Sequence, residues 1–201
     1  MIKALSCLFI FCFPLFSCTE NDSFASKISN VKRNTKGKKV NFFSNGNIHE
    51  VIDSNNADFL GSRFEFTDNG DLRQYSFLCD KIRASYIESY IDNKIETVEG
   101  SPIVYSLTSA DKAKDSMYLK RFISILSYKN IKVDYSINDG EFISVDLIDE
   151  PELNFIKSFE KFVNTRNLNR FSFVTKFAGT RIDNNTTIVY YDTLDVTKKK
   201  Q

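Results

Sequence analysis

The 201-residue chain has no tryptophan, one histidine, three prolines and seven glycines. With a single histidine, His49, a Ser-His-Asp triad has no second choice of base, and no nucleophile elbow is present. His49 sits beside Glu50 just after an Asn-Gly pair and reads as an exposed strand residue. The scarcity of glycine goes with the lack of any Gly-rich phosphate loop, and neither Cys/His metal spacing nor a cofactor fingerprint is found. No catalytic residue, metal or cofactor is therefore expected. Excess charge is missing too, with 27 basic against 26 acidic residues. A neutral chain without a concentrated basic face lacks the electrostatic footprint of a nucleic-acid binder. Against these shortages stand 19 Phe and nine Tyr. That aromatic content, with so little proline, favours strands over disorder or a helical bundle.

The amino terminus is the most informative segment. Met1-Ile2-Lys3 supplies one positive charge, residues 4–16 are almost continuously apolar, and Ser17-Cys18 precedes the polar Thr19-Glu20-Asn21-Asp22. This is the layout of a secretory signal, too short to span a bilayer. Leu15-Phe16-Ser17-Cys18 resembles the lipobox of bacterial lipoproteins, although Phe16 is bulkier than that family usually carries there. The resemblance implies cleavage before Cys18, acylation of its sulfur and its new amino group, and residence in the cell envelope as an outer-membrane lipoprotein. Three acyl chains would make attachment effectively permanent, since a single chain holds only marginally. Loss of Lys3 with residues 1–17 equalises the charges at 26 and 26. Cys7 and Cys12 depart with the signal and Cys18 is consumed by lipid, so Cys79 is left without a disulfide partner. It reads as a small buried hydrophobe rather than a reactive thiol. Residues 18–39 are expected to be a flexible tether, polar and basic (Lys27, Lys32, Arg33, Lys36, Lys38, Lys39), solvated or touching anionic headgroups.

Residues 40–98 are repetitive. Phe42-Phe43-Ser44-Asn45-Gly46-Asn47-Ile48 is followed 24 residues later by Phe66-Thr67-Asp68-Asn69-Gly70-Asp71-Leu72, and after another 24 by Tyr90-Ile91-Asp92-Asn93-Lys94-Ile95. Asn45-Gly46 and Asn69-Gly70 define tight turns, Asn-Gly being tolerant of positive φ at both central positions. The aromatic before each turn and the aliphatic after it should meet across a hairpin. Such units cannot bury a face alone and must stack, with the third, glycine-free copy as a degenerate cap. The pattern resembles the MORN-repeat variant of bacterial lipoproteins. That resemblance implies a β-meander scaffold and brings no catalytic residues.

Beyond Gly100-Ser101-Pro102 the 24-residue period ends, and residues 99–197 form a second unit. Residues 103–107, 117–126, 131–137, 142–148, 171–177 and 187–196 are strand-like, with turns at Asn138-Asp139-Gly140 and at Asp183-Asn184-Asn185. Residues 153–163 read as strand, with an amphipathic helix as the alternative. The expected fold is all-β: stacked antiparallel hairpins and then an immunoglobulin-like β-sandwich. Lacking both a Trp and a Cys pair, it is not of antibody type. It resembles the sandwich that follows such repeats in lipoproteins of Bacteroidetes type. Residues 198–201 make a frayed basic tail.

Asp146, Asp149, Glu150 and Glu152 form the densest acidic cluster, but surround Pro151 without the Gly-punctuated spacing of a calcium loop. They read as a solvated connection. Tyrosine offers a better lead, because it is enriched at interfaces and stacks on sugars. Tyr86, Tyr90, Tyr190 and Tyr191 are the expected binding residues, against the alternative of rings buried at sheet margins. Three functions follow as expectations. The first is a lipid-anchored scaffold binding a protein or glycan partner through β-edges or aromatic faces. The second is an antitoxin-like or immunity lipoprotein. An envelope hydrolase of unrecognised type is the third.

Overall fold

A computed structural model describes residues 24–54, 60–79, 83–111, 116–150, 153–165 and 170–197. Cys18, the expected signal segment, Glu152 and the basic tail lie outside the described residues. Over the described residues the fold is all-β with one short helix, α1 (Phe24–Arg33). Six strands form an antiparallel meander in sequence order: β1 (Lys39–Phe42), β2 (Ile48–Ser54), β3 (Gly61–Phe66), β4 (Leu72–Leu78), β5 (Ala84–Ile91) and β6 (Lys94–Gly100). Its hairpins obey the 24-residue period closely. Phe42 pairs with Ile48, Phe66 with Leu72 and Tyr90 with Ile95, and the register shifts immediately before each aromatic.

The turns follow a different rule from the one expected. In the first two copies Gly46 has φ +85° and Gly70 φ +89°, while neither Asn45 nor Asn69 has positive φ. The amides of Gly46 and Gly70 donate to the carbonyls of Phe43 and Thr67, closing three-residue loops with glycine in the left-handed position. Asn45 serves through its side chain, which accepts from the Asn47 amide at 2.9 Å. In the third copy, Asp92 and Asn93 both have positive φ, giving the two-residue turn that lacks any need for glycine.

The remaining eight strands form two four-stranded sheets. One contains β7 (Ile103–Asp111), β8 (Ser116–Ser124), β12 (Ile156–Asn164) and β11 (Ile148–Asp149), in that spatial order. The other runs β14 (Thr187–Thr197), β13 (Arg170–Arg181), β9 (Tyr128–Ile137) and β10 (Ile143–Val145). These orders match the ABED and GFCC′ sheets of the immunoglobulin topology. Residues 142–148, expected as one strand, divide between β10 and β11 because the chain changes sheets at Asp146-Leu147. Residues 156–164 are strand, since Phe159 and Val163 face the core of the sandwich. Where an antibody domain places Trp and a disulfide, this core stacks Tyr135 on Phe173 at 5.3 Å, and Phe159 packs against both rings.

The tether reading of residues 18–39 needs correction over its described part. Phe24, Ile28 and Val31 fall at helical spacing, and Ile28 and Val31 are buried. Phe24 stacks on Tyr90 at 5.1 Å, and the Lys32 ammonium lies over the Phe66 ring at 4.9 Å while bonding the Gly70 carbonyl. The helix thus crosses the second and third hairpins near their turns. Three apolar side chains in a charged segment make a weak signal by themselves. The sheet face supplies the rest of their burial.

Candidate functional site

One face of the meander is covered by α1 and by the loop end of the sandwich. On β5 the alternation Tyr86-x-Glu88-x-Tyr90 sends all three side chains to that covered face. Tyr86 and Tyr90 are 1% and 5% exposed, so they are not surface binding residues. Glu88 accepts the Tyr86 hydroxyl at 2.7 Å and the Ser127 hydroxyl at 2.6 Å, and is bonded by the Tyr90 hydroxyl as well. Tyr86 also meets the Tyr128 hydroxyl at 2.8 Å, and Tyr128 donates onward to Tyr190 at 3.4 Å. Burial pushes the Glu88 carboxyl above its ordinary range, opposed by these three hydroxyl donors and by the field of Arg181. Tyr75 makes a second junction, its hydroxyl 2.8 Å from that of Ser124 and 3.3 Å from that of Ser62. Asp53 makes a third, accepting from the Asn154 amide side chain at 2.7 Å and pairing with Lys38 at 3.0 Å. These groups join the meander to the sandwich, and every hydroxyl among them has a partner. Tyr190, half-buried on β14, belongs to this junction.

Tyr191 points the other way. Adjacent strand residues face opposite sides, so Tyr190 and Tyr191 cannot share a role. Tyr191 is 62% exposed on the outer face of the β10-β9-β13-β14 sheet. There the register aligns Tyr191 with Lys176, Lys176 with Asp134, and Asp134 with Ser144. The Ser144 hydroxyl donates to Asp134 at 2.6 Å and Lys132 approaches it at 3.4 Å, which together hold its carboxyl below the usual range. Phe142, 47% exposed, lies edge-on to Tyr191 at 6.4 Å, and the Lys176 ammonium lies 5.8 Å from the Phe142 ring. Val189, 45% exposed, extends the apolar part. The result is a polar row flanked by two exposed rings. Phe142, Lys176, Asp134 and Val189 were not singled out in the sequence. Tyr191 was named in the sequence together with Tyr190, but its cross-strand partners required the register.

The other sequence candidates are dispersed. His49 is half-buried, with its ring 4.5 Å from Phe43 at a hairpin end. Asp149 pairs with Lys157 at 3.0 Å and Glu150 with Lys120 at 2.8 Å, so these carboxylates turn to separate lysines instead of converging. Among the described residues no three His, Cys, Asp or Glu side chains are grouped to hold a metal ion. Cys79 is half-buried just beyond β4 and its thiol meets the Arg83 carbonyl at 3.4 Å. The chain matches no family model, no curated protein and no solved structure.

Proposed function

We propose that this chain is a lipid-anchored envelope lipoprotein that acts by binding, and that the outer face of the β10-β9-β13-β14 sheet receives a protein or glycan partner. The supporting observation is the Tyr191-Lys176-Asp134-Ser144 row with Phe142 beside it, because exposed rings next to a carboxylate held by Ser144 and Lys132 suit both apolar stacking and hydrogen bonding. The junction beneath the sandwich spends its polar groups on holding the two units together, whereas this face keeps two exposed rings beside hydrogen-bonding groups. On this reading Cys18 carries the lipid. Only five residues separate it from Phe24, so the folded body is held within about 20 Å of the bilayer.

Two experiments test the reading separately. Palmitate incorporation into the native chain and its loss in Cys18→Ala test the anchor, and equal labelling of both refutes it. Capture from solubilised envelopes and a glycan array, each run with the native chain and with the double variant Phe142→Ala/Tyr191→Ala, test the face. Retention of every bound partner by the folded double variant overturns the assignment.

A further inference from the structure

The free edge of β14 is the longest regular strand edge among the described residues. β14 pairs with β13 through eleven consecutive residue pairs with no register shift, and among the described residues no strand lies on its other side. Proteins usually guard such edges with lysine, proline, a bulge or brevity. The other edges here are guarded in those ways. β10 and β11 have three and two residues, β1 has four, β7 carries a register shift near its end, and β6 bears Lys94, Glu96 and Glu99. β14 contains neither lysine nor proline. Its two acids are already compensated within the chain, Asp192 by the buried Arg121 and Asp195 by Arg170 at 3.5 Å.

We propose that this edge pairs antiparallel with the same edge of a second copy, about a two-fold axis at Tyr191. Side chains on the same face must meet, so the axis has to pass through a residue, and few registers are available. An axis at Asp192 sets that carboxylate against its own copy. Axes at Tyr190 or Thr193 set Asp192 against Ile188 or Leu194. With the axis at Tyr191, Ile188 meets Leu194 and Val189 meets Thr193. Asp192 then lies opposite Tyr190, and Asp195 opposite Thr187. No acid then faces an acid or an aliphatic, and every aliphatic has an uncharged neighbour, which is the cross-strand pairing that favours a sheet. The two four-stranded sheets then join as one eight-stranded sheet, with both outer faces still open and the two Tyr191 rings adjacent. This inference is independent of the anchor and of any partner on that face.

The test is sedimentation of the purified full chain in detergent, together with oxidative cross-linking. A concentration-dependent dimer is expected, and Tyr191→Lys, which sets two ammonium groups opposite each other, should weaken it about tenfold or more. Tyr191→Cys should form a homodimeric disulfide, because paired Cα atoms lie about 4.5–5.5 Å apart. Val189→Cys alone should not link, but a mixture of Val189→Cys with Thr193→Cys should. Linked peptides identified by mass spectrometry separate these bonds from those of the native cysteines. A chain that stays monomeric, a dimer indifferent to Tyr191→Lys, or Val189→Cys linking as readily as Tyr191→Cys overturns the proposal.

Discussion

Glu88 is the residue on which the junction turns. It is fully buried, yet it accepts three hydroxyls, two from its own strand and one from Ser127. Its carboxyl is raised by burial, so the fold prefers it protonated. For an acid whose pKa rises on folding, the favourable contribution is complete below the unfolded value. It is lost as pH climbs through the folded value. Glu88→Gln keeps the shape and cannot ionise. Urea titrations across that range should therefore show the variant gaining on the native chain as pH rises, and a constant difference at every pH would contradict the account. Tyr86→Phe deletes the hydroxyl between Glu88 and Tyr128, and should cost about 1–2 kcal/mol at neutral pH in the same titrations.

At the scale of elements, glycine positions and the helix give the sharpest tests. A Cβ at Gly46 would meet nothing within 4 Å, so Gly46→Ala should carry only the left-handed strain, about 1–2 kcal/mol. Gly100 also has positive φ, but there a Cβ would fall 2.0 Å from the Ser85 carbonyl oxygen. Its passage from β6 to β7 runs against β5, and the next amide, Ser101, bonds that same carbonyl at 2.8 Å. Gly100→Ala should therefore be clearly the worse of the two by thermal melting. For α1, Ile28→Ala should destabilise the protein by about 2–4 kcal/mol, as for a large aliphatic lost from a core. A variant as stable as the native chain would restore the tether reading of this segment.

At the scale of the whole molecule, the meander and the sandwich share their boundary side chains. Tyr75 with Ser124, Tyr86 with Tyr128, and Asp53 with Asn154 each take one partner from either unit. Cutting at Gly100 would break these bonds and expose the apolar surface packed around them to water. Residues 99–197 alone are therefore expected to fold poorly, and the full chain to unfold in a single transition. Far-ultraviolet circular dichroism and tyrosine fluorescence should report the same urea midpoint. Separate midpoints would show that the two units are energetically independent.

Local rules were enough for part of this architecture. The 24-residue spacing of Phe42, Phe66 and Tyr90, with Gly46 and Gly70 behind the first two, marks hairpins because turn geometry and cross-strand pairing operate over a few residues. Strand-like residue content between turn signals marked the long strands of the sandwich for the same reason, so the all-β class was legible without coordinates. Tertiary structure decided what lay beyond that range. Phe24, Ile28 and Val31 form a helix because a sheet face elsewhere in the chain completes their burial. Tyr86 and Tyr90 became interior groups, and Tyr191 remained outside. All three have the same chemistry, and their sequence contains nothing about which surface arrives to cover them. The row from Tyr191 to Ser144 depends on strands 47 residues apart lying in one register, and pairing at such separations is set by the packing of the whole core.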